Sequence, residues 1–285
     1  HQLKRYWIFS PEPPTQTKPC QTDLESSISL WDSFFDFTDR WLRRSVADHE
    51  IWRGNGYLLS KCNSFYRAGL LPMIPCLWFY SRDRAARKIG GLVTSQKPWQ
   101  LKIPEMLLLL GMGAAFSQFA NMLVGILQSV LNYQEYQESM DQLMEGKQMW
   151  FLILSMGIIA PLAEEIVFRW LIYLRLRDYM RMGAAAVISG LIFGIYHGNL
   201  VQAVYASLLG IVFAYILDIS GCLWSSVLLH MGANIWSLIS PDLYTWIIAR
   251  NPAAIMILFL ILLMVMILGC FYFTKRVQGR SKRVI

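Results

Sequence analysis

The stretch PLAEEIVFRW, Pro161–Trp170, sets two carboxylates and a guanidinium inside an oily run that extends from Met149 to Leu174. A charged side chain at the centre of a bilayer costs roughly 2.5–3.5 kcal/mol on insertion scales. Glu164, Glu165 and Arg169 therefore need either mutual pairing or a task. Whether that run crosses a membrane decides the fold, and the rest of the chain answers.

Of the 285 residues, 55% are hydrophobic and only 16% are charged, and the mean hydropathy is +0.38. That is too apolar for an ordinary soluble domain. Several runs approach the 20 or so apolar residues that a spanning helix needs. They are continuous, whereas a β-barrel strand alternates apolar and polar positions. The expected fold is all-α, a polytopic transmembrane bundle of about seven spans. Spans are read near 103–131, 149–174, 184–199, 200–218, 221–239 and 254–274. A further one, near 64–81, is interrupted by Pro72 and Pro75. Residues 1–60 read as an irregular or interfacial segment and 61–285 as the bundle. Within the former, ISLWDSFFDFTDRWLRR (28–44) carries three aspartates and suits an interfacial amphipathic helix or a soluble one. The chain opens on His1, so the natural start is expected upstream, and no cleavable signal peptide is read.

The net charge of +7 does not point to nucleic acid, because the basic residues lie between or after the apolar runs, as in cytoplasmic loops. Arg82, Arg84, Arg87, Lys88, Lys97 and Lys102 place the 81–102 linker inside. Glu135, Glu138, Asp141 and Glu145 against Lys147 place the 132–148 loop outside. Arg175, Arg177 and Arg181 return to the inside, as does the tail with Lys275, Arg276, Arg280, Lys282 and Arg283. An integral protein of the cell (plasma) membrane with a cytoplasmic C-terminus is expected, with lipid as a standing partner. The five cysteines form no CxxC pair; those in apolar runs, Cys76, Cys222 and Cys270, read as packed thiols.

Three polar groups interrupt the core. In EExxxR, Glu165 and Arg169 are four apart and share a helix face, with the acid N-terminal. Glu164 points about 100° away, which leaves it free for chemistry while the pair fixes the helix. In FGIYH, Phe193 and His197 share a face beside a ridge of Ala186, Gly190, Gly194 and Gly198, a pattern that lets membrane helices approach closely. In HMGAN, His230 and Asn234 share a face. Asn121, Gln128 and Gln202 are read as interhelical bonds or cavity lining. Counted from the inner helix ends, Glu164 and His230 lie about 15 Å deep and His197 and Asn234 about 20 Å. Helices running in alternating directions thus bring these groups to one level, and a shared site is expected.

A carboxylate, two imidazoles and an amide can take up a proton from water and hold a developing oxyanion. That suffices for amide hydrolysis without a covalent intermediate. Neither HExxH nor GxSxG occurs, and Asp218 stands alone near a helix end. Zinc held by His197, His230 and a glutamate is the alternative, since two histidines and a carboxylate form a known ligand set. Otherwise no cofactor is expected.

Glu164-Glu165-Ile-Val-Phe-Arg169, Phe193-Gly-Ile-Tyr-His197 and His230-Met-Gly-Ala-Asn234 resemble the motifs of the CPBP family, the CAAX prenyl proteases and bacteriocin-processing enzymes also called Abi proteins. The resemblance covers about residues 100–240, including GCLWSSVLLH before the third motif. It implies a glutamate-dependent intramembrane endopeptidase. Glu164 and His197 would activate water, and His230 and Asn234 would form the oxyanion site. Glu165, Arg169 and Phe193 would support them. Trp170 departs from the glycine common after the arginine. The implied substrate is a peptide or protein, prenylated or a peptide precursor. Two other classes remain open: a non-catalytic immunity or scaffold protein of the same fold, and a proton-coupled transporter, disfavoured because the polar groups gather at one level.

Overall fold

The computed structural model describes residues 71–90, 100–131, 148–198 and 200–281. The chain divides into two compact units, 1–72 and 73–285, and the description below concerns the second, with the first turn of its leading helix. The 1–60 segment with its 28–44 helix, Cys20, Cys62, the start of the 64–81 run, Lys97 and the 132–147 loop lie outside the described residues.

Seven helices, and no strand, occur among the described residues: α1 (Leu71–Ile89), α2 (Ile103–Leu131), α3 (Met149–Tyr179), α4 (Met182–Tyr196), α5 (Leu200–Ser220), α6 (Leu223–Arg250) and α7 (Ala254–Ser281). Four are long and apolar enough to cross a membrane: Ile103–Ile126, Met149–Tyr179, Leu200–Ser220 and Ala254–Arg276. The expected all-α membrane bundle is observed, with a smaller set of clear spans than the seven expected. The α4 helix has 15 residues and is about 22 Å long, short of a hydrocarbon core of about 30 Å. The α6 helix runs on to Arg250 past Pro241, and its serines, His230 and Asn234 dilute its hydropathy.

The 64–81 run is corrected most. Helix α1 does not stop at 81 but continues through Arg82–Lys88 to Ile89. Pro72 falls in its first turn, where an N–H has no helical partner to lose. Its charged half is held by α3: Asp83 pairs with Arg175, and Arg87 donates two hydrogen bonds of 2.8 Å to Asp178. The same end of the bundle holds two more acid–arginine clamps. Asp218 on α5 accepts from Arg177 at 2.9 Å and from the Tyr173 hydroxyl at 2.8 Å. Glu105 on α2 accepts from the Tyr272 hydroxyl at 2.6 Å and pairs with Arg276 of α7. Asp218 is thus part of a cluster, contrary to its isolated look in the sequence.

Small residues bring the helices together. A Cβ at Gly194 would lie 2.3 Å from the Ala203 carbonyl oxygen, and one at Gly190 2.8 Å from that of Ser207, so the ridge of α4 presses on α5 as expected. Gly198 is not part of it; its φ of +71° ends α4 in a left-handed turn with nothing within 4 Å of a Cβ. The closest approach joins α2 and α6: a Cβ at Gly113 would fall 1.9 Å from the Leu229 carbonyl oxygen, and one at Gly232 2.1 Å from that of Leu110. Gly113→Ala is therefore expected to force these helices apart and to cost about 1–3 kcal/mol. Thermal unfolding in detergent checks this, with Gly125→Ala, where nothing lies within 4 Å, as the unaffected control. Of the three thiols expected to be packed, Cys76 is buried and Cys222 half-buried, but Cys270 sits on an exposed face of α7, a helix that buries little of its surface in the bundle.

Candidate active site

The site is built on α3, which is not wound uniformly. It is π-helical over Ile153–Ile159, α-helical over Ala160–Glu164 and π-helical again over Glu165–Tyr173. Pro161 has no N–H to return to the preceding turn, and just before it the Ala160 N–H reaches back five residues to the Ser155 carbonyl. The second wide turn closes with the Leu174 N–H on the Arg169 carbonyl, again five back. Each π segment offers a carbonyl to a side chain from another helix. Met156 accepts the Asn234 amide of α6 at 2.9 Å, and Phe168 accepts the Ser189 hydroxyl of α4 at 3.0 Å. Wide turns of this kind are frequent at functional sites.

Glu165 and Arg169 are fully buried, with the carboxylate Oε2 3.1 Å from Nε. The guanidinium is met on its faces by Phe193 (4.4 Å to the ring centre) and Phe213 (5.2 Å), a cation–π sandwich that partly offsets its desolvation. Gly210 lets α5 lie close to α4 beside it: a Cβ there would fall 3.0 Å from the Gly190 Cα and 3.1 Å from Cδ1 of Phe193. The other oxygen of Glu165, Oε1, is 2.9 Å from His230 Nδ1. On the far side of the same imidazole, Nε2 lies 3.5 Å from Oε2 of Glu164, whose side chain keeps 21% of its surface exposed. The expected division thus has a geometric counterpart. Glu165 is buried in the ion pair, and Glu164 looks out. The sequence did not suggest that one histidine would touch both acids.

Aromatic rings fix the imidazoles. His230 stacks on Phe213 with centroids 4.6 Å apart. Phe193 stands edge-on to both His230 (5.6 Å) and His197 (4.8 Å). His197 caps α4, and its Nδ1 lies 2.8 Å from the Phe193 carbonyl oxygen. A carbonyl only accepts, so Nδ1 carries the proton and Nε2 is left with a lone pair. By the same reasoning Glu165 takes the Nδ1 proton of His230. His197 joins the group through Phe193, whereas His230 contacts the acids directly. Asn234 is tied to Met156, which leaves its second amide hydrogen for other use. Trp170 of α3 is half-buried and stands edge-on to Tyr80 of α1 at 4.8 Å.

Phe213 and Ser189 were missed in the sequence. Phe213 had no signal there, since its role arises from packing α5 across α3. Among the described residues, no group of three or more His, Cys, Asp and Glu side chains comes together as a metal cage.

Residues 146–236 match the family model for the Rce1-like type II CAAX prenyl endopeptidases. All three motifs lie within that interval. A stretch of 83 residues is 30% identical to the Bacillus subtilis (strain 168) protein named "Putative membrane peptidase YdiL", covering 29% of this chain and 34% of that protein. No solved structure matches. The matched interval carries the same three motifs that resemble those of the CPBP family, and the chain spans about a third of the length of the curated relative it matches. With four helices long and apolar enough to cross a membrane, the chain is an integral membrane protein.

Proposed function

We propose that this protein is an intramembrane endopeptidase in which Glu164 activates water to hydrolyse a peptide bond. Glu164 takes a proton from the water, the oxygen attacks the carbonyl carbon, and the proton passes to the departing amine. His197, with its Nε2 lone pair free, helps hold the water. His230 orders Glu164 from the other side, while its Nδ1 proton is anchored by Glu165 and Arg169. Asn234 keeps one amide hydrogen for the oxyanion. The substrate is a CAAX-type prenylated tail or a peptide precursor, reached from the cell membrane, with the C-terminus of this chain on the cytoplasmic side. No step needs a metal.

The observation that carries this reading is the contact of 3.5 Å between partly exposed Glu164 and buried His230, backed by the fully buried Glu165–Arg169 pair. A purely structural ion pair has no use for a second, partly solvated carboxylate on the same imidazole. The test compares new protein termini in membranes containing wild-type protein with those containing Glu164→Gln. A fragment that appears only with the wild type supports the reading. Identical termini in both overturn it and leave the non-catalytic immunity or scaffold role.

A further inference from the structure

Helix α5 bears none of the three motifs, yet it sends a ring into the site. Phe213 is fully buried. It stacks on His230, with centroids 4.6 Å apart and planes 26° apart, and the Arg169 Cζ lies over the same ring, 5.2 Å from its centre. The Glu165 carboxylate joins these two partners as well, Arg169 through Oε2 at 3.1 Å and His230 through Oε1 at 2.9 Å. Acid, cation, imidazole and ring therefore form a closed loop of contacts. One hydrogen bond at Nδ1 does not hold an imidazole in plane, because its torsion about Cβ–Cγ is broad. A modest turn would keep a bent bond to Glu165 and swing Nε2 away from Glu164, where the separation is already 3.5 Å. Stacking opposes that turn. Phe193 meets the imidazole edge-on, at 89°, so it is the face of Phe213 that sets the plane.

We propose that Phe213 is a positioning residue for peptide hydrolysis: its ring sets the plane of His230, and so aims Nε2 at Glu164, while steadying the guanidinium that anchors Glu165. This rests on Glu164 being the base. The competing role is core filling, since Phe213 also belongs to the cluster of Leu109, Phe168, Phe193 and Leu229. Core filling asks only for apolar volume. Positioning asks for a flat ring.

The test uses full-length protein in lipid nanodiscs and a quenched-fluorescence peptide spanning a cleavage site that depends on Glu164. Solid-state NMR reads the dephasing of a carbon-labelled Glu164 carboxyl by nitrogen-labelled His230. Phe213→Leu and Phe213→Met keep an apolar side chain but lose the ring; 4-fluorophenylalanine at position 213 keeps it. In the two ring-less variants kcat is expected to fall about 10–10²-fold, the scale of a misplacement of about 1 Å, with KM little changed and the dephasing weakened. With 4-fluorophenylalanine both readouts stay at their wild-type values. Leu262→Ala, in the separate cluster of Ala115 and Trp236, loses stability and keeps kcat. Unchanged kcat or unchanged dephasing in the ring-less variants, or the failure of both to fold, overturns the role of Phe213 and leaves intact a base that Glu164→Gln still silences. Cleavage that survives in Glu164→Gln, or the lack of any Glu164-dependent site, overturns both.

Discussion

Glu164→Gln is expected to lower turnover by about 10²–10⁴-fold, the range that a positioned general base supplies. Folding should be spared, because the side chain retains 21% of its surface exposed and stands outside the buried ion pair. Glutamine keeps the shape and can still hydrogen-bond His230, but it cannot take a proton from water. The readout is initial velocity beside the thermal unfolding curve of the same preparation. Loss of both together would mean that Glu164 holds the helices; loss of velocity alone identifies the base.

Arg169→Leu acts on the other half of the same motif and in the opposite sense. It removes one partner of a pair whose two side chains have no exposed surface, leaving the Glu165 carboxylate buried with His230 as its hydrogen-bond partner. Breaking a buried pair in this way costs about 3–5 kcal/mol. The expected outcome is a large drop in thermal stability in detergent. Replacing both partners, as Glu165→Leu with Arg169→Leu, should restore much of that stability, because apolar residues of similar volume often replace buried pairs at little cost. It should not restore activity, since His230 would lose the acceptor that fixes its Nδ1 proton. Stability without turnover in the double variant separates what the pair does for the fold from what it does for the site.

The helices were legible wherever the apolar runs were long. The α2, α3, α5 and α7 helices follow from hydropathy, because lipid demands a satisfied backbone and a helix satisfies it internally. Helix α1 was misjudged at its C-terminal end, where partners on α3 neutralise Asp83 and Arg87; pairs between residues some ninety apart leave no local trace. The π turns of α3 were equally silent, since only Pro161 hinted at a break. Around the site, i to i+4 spacing gave the Glu165–Arg169 pair and the shared faces of the two histidine motifs. The bridging of both glutamates by His230 was hidden, because it depends on how far α6 leans toward α3. That lean follows from glycines at 113 and 232, whose missing side chains let α2 and α6 meet at backbone distance.

The convergence of Glu164 on the histidines can be measured without any substrate. Solid-state NMR on protein in lipid, with a carbon label at the Glu164 carboxyl and nitrogen labels in histidine, reads the separation of that carbon from the His230 ring through dipolar coupling. The contact of 3.5 Å between Oε2 and Nε2 predicts strong dephasing that vanishes in His230→Gln. A carboxyl more than about 10 Å from both His230 and His197, too far for one water to bridge, would contradict a shared site and the chemistry built on it.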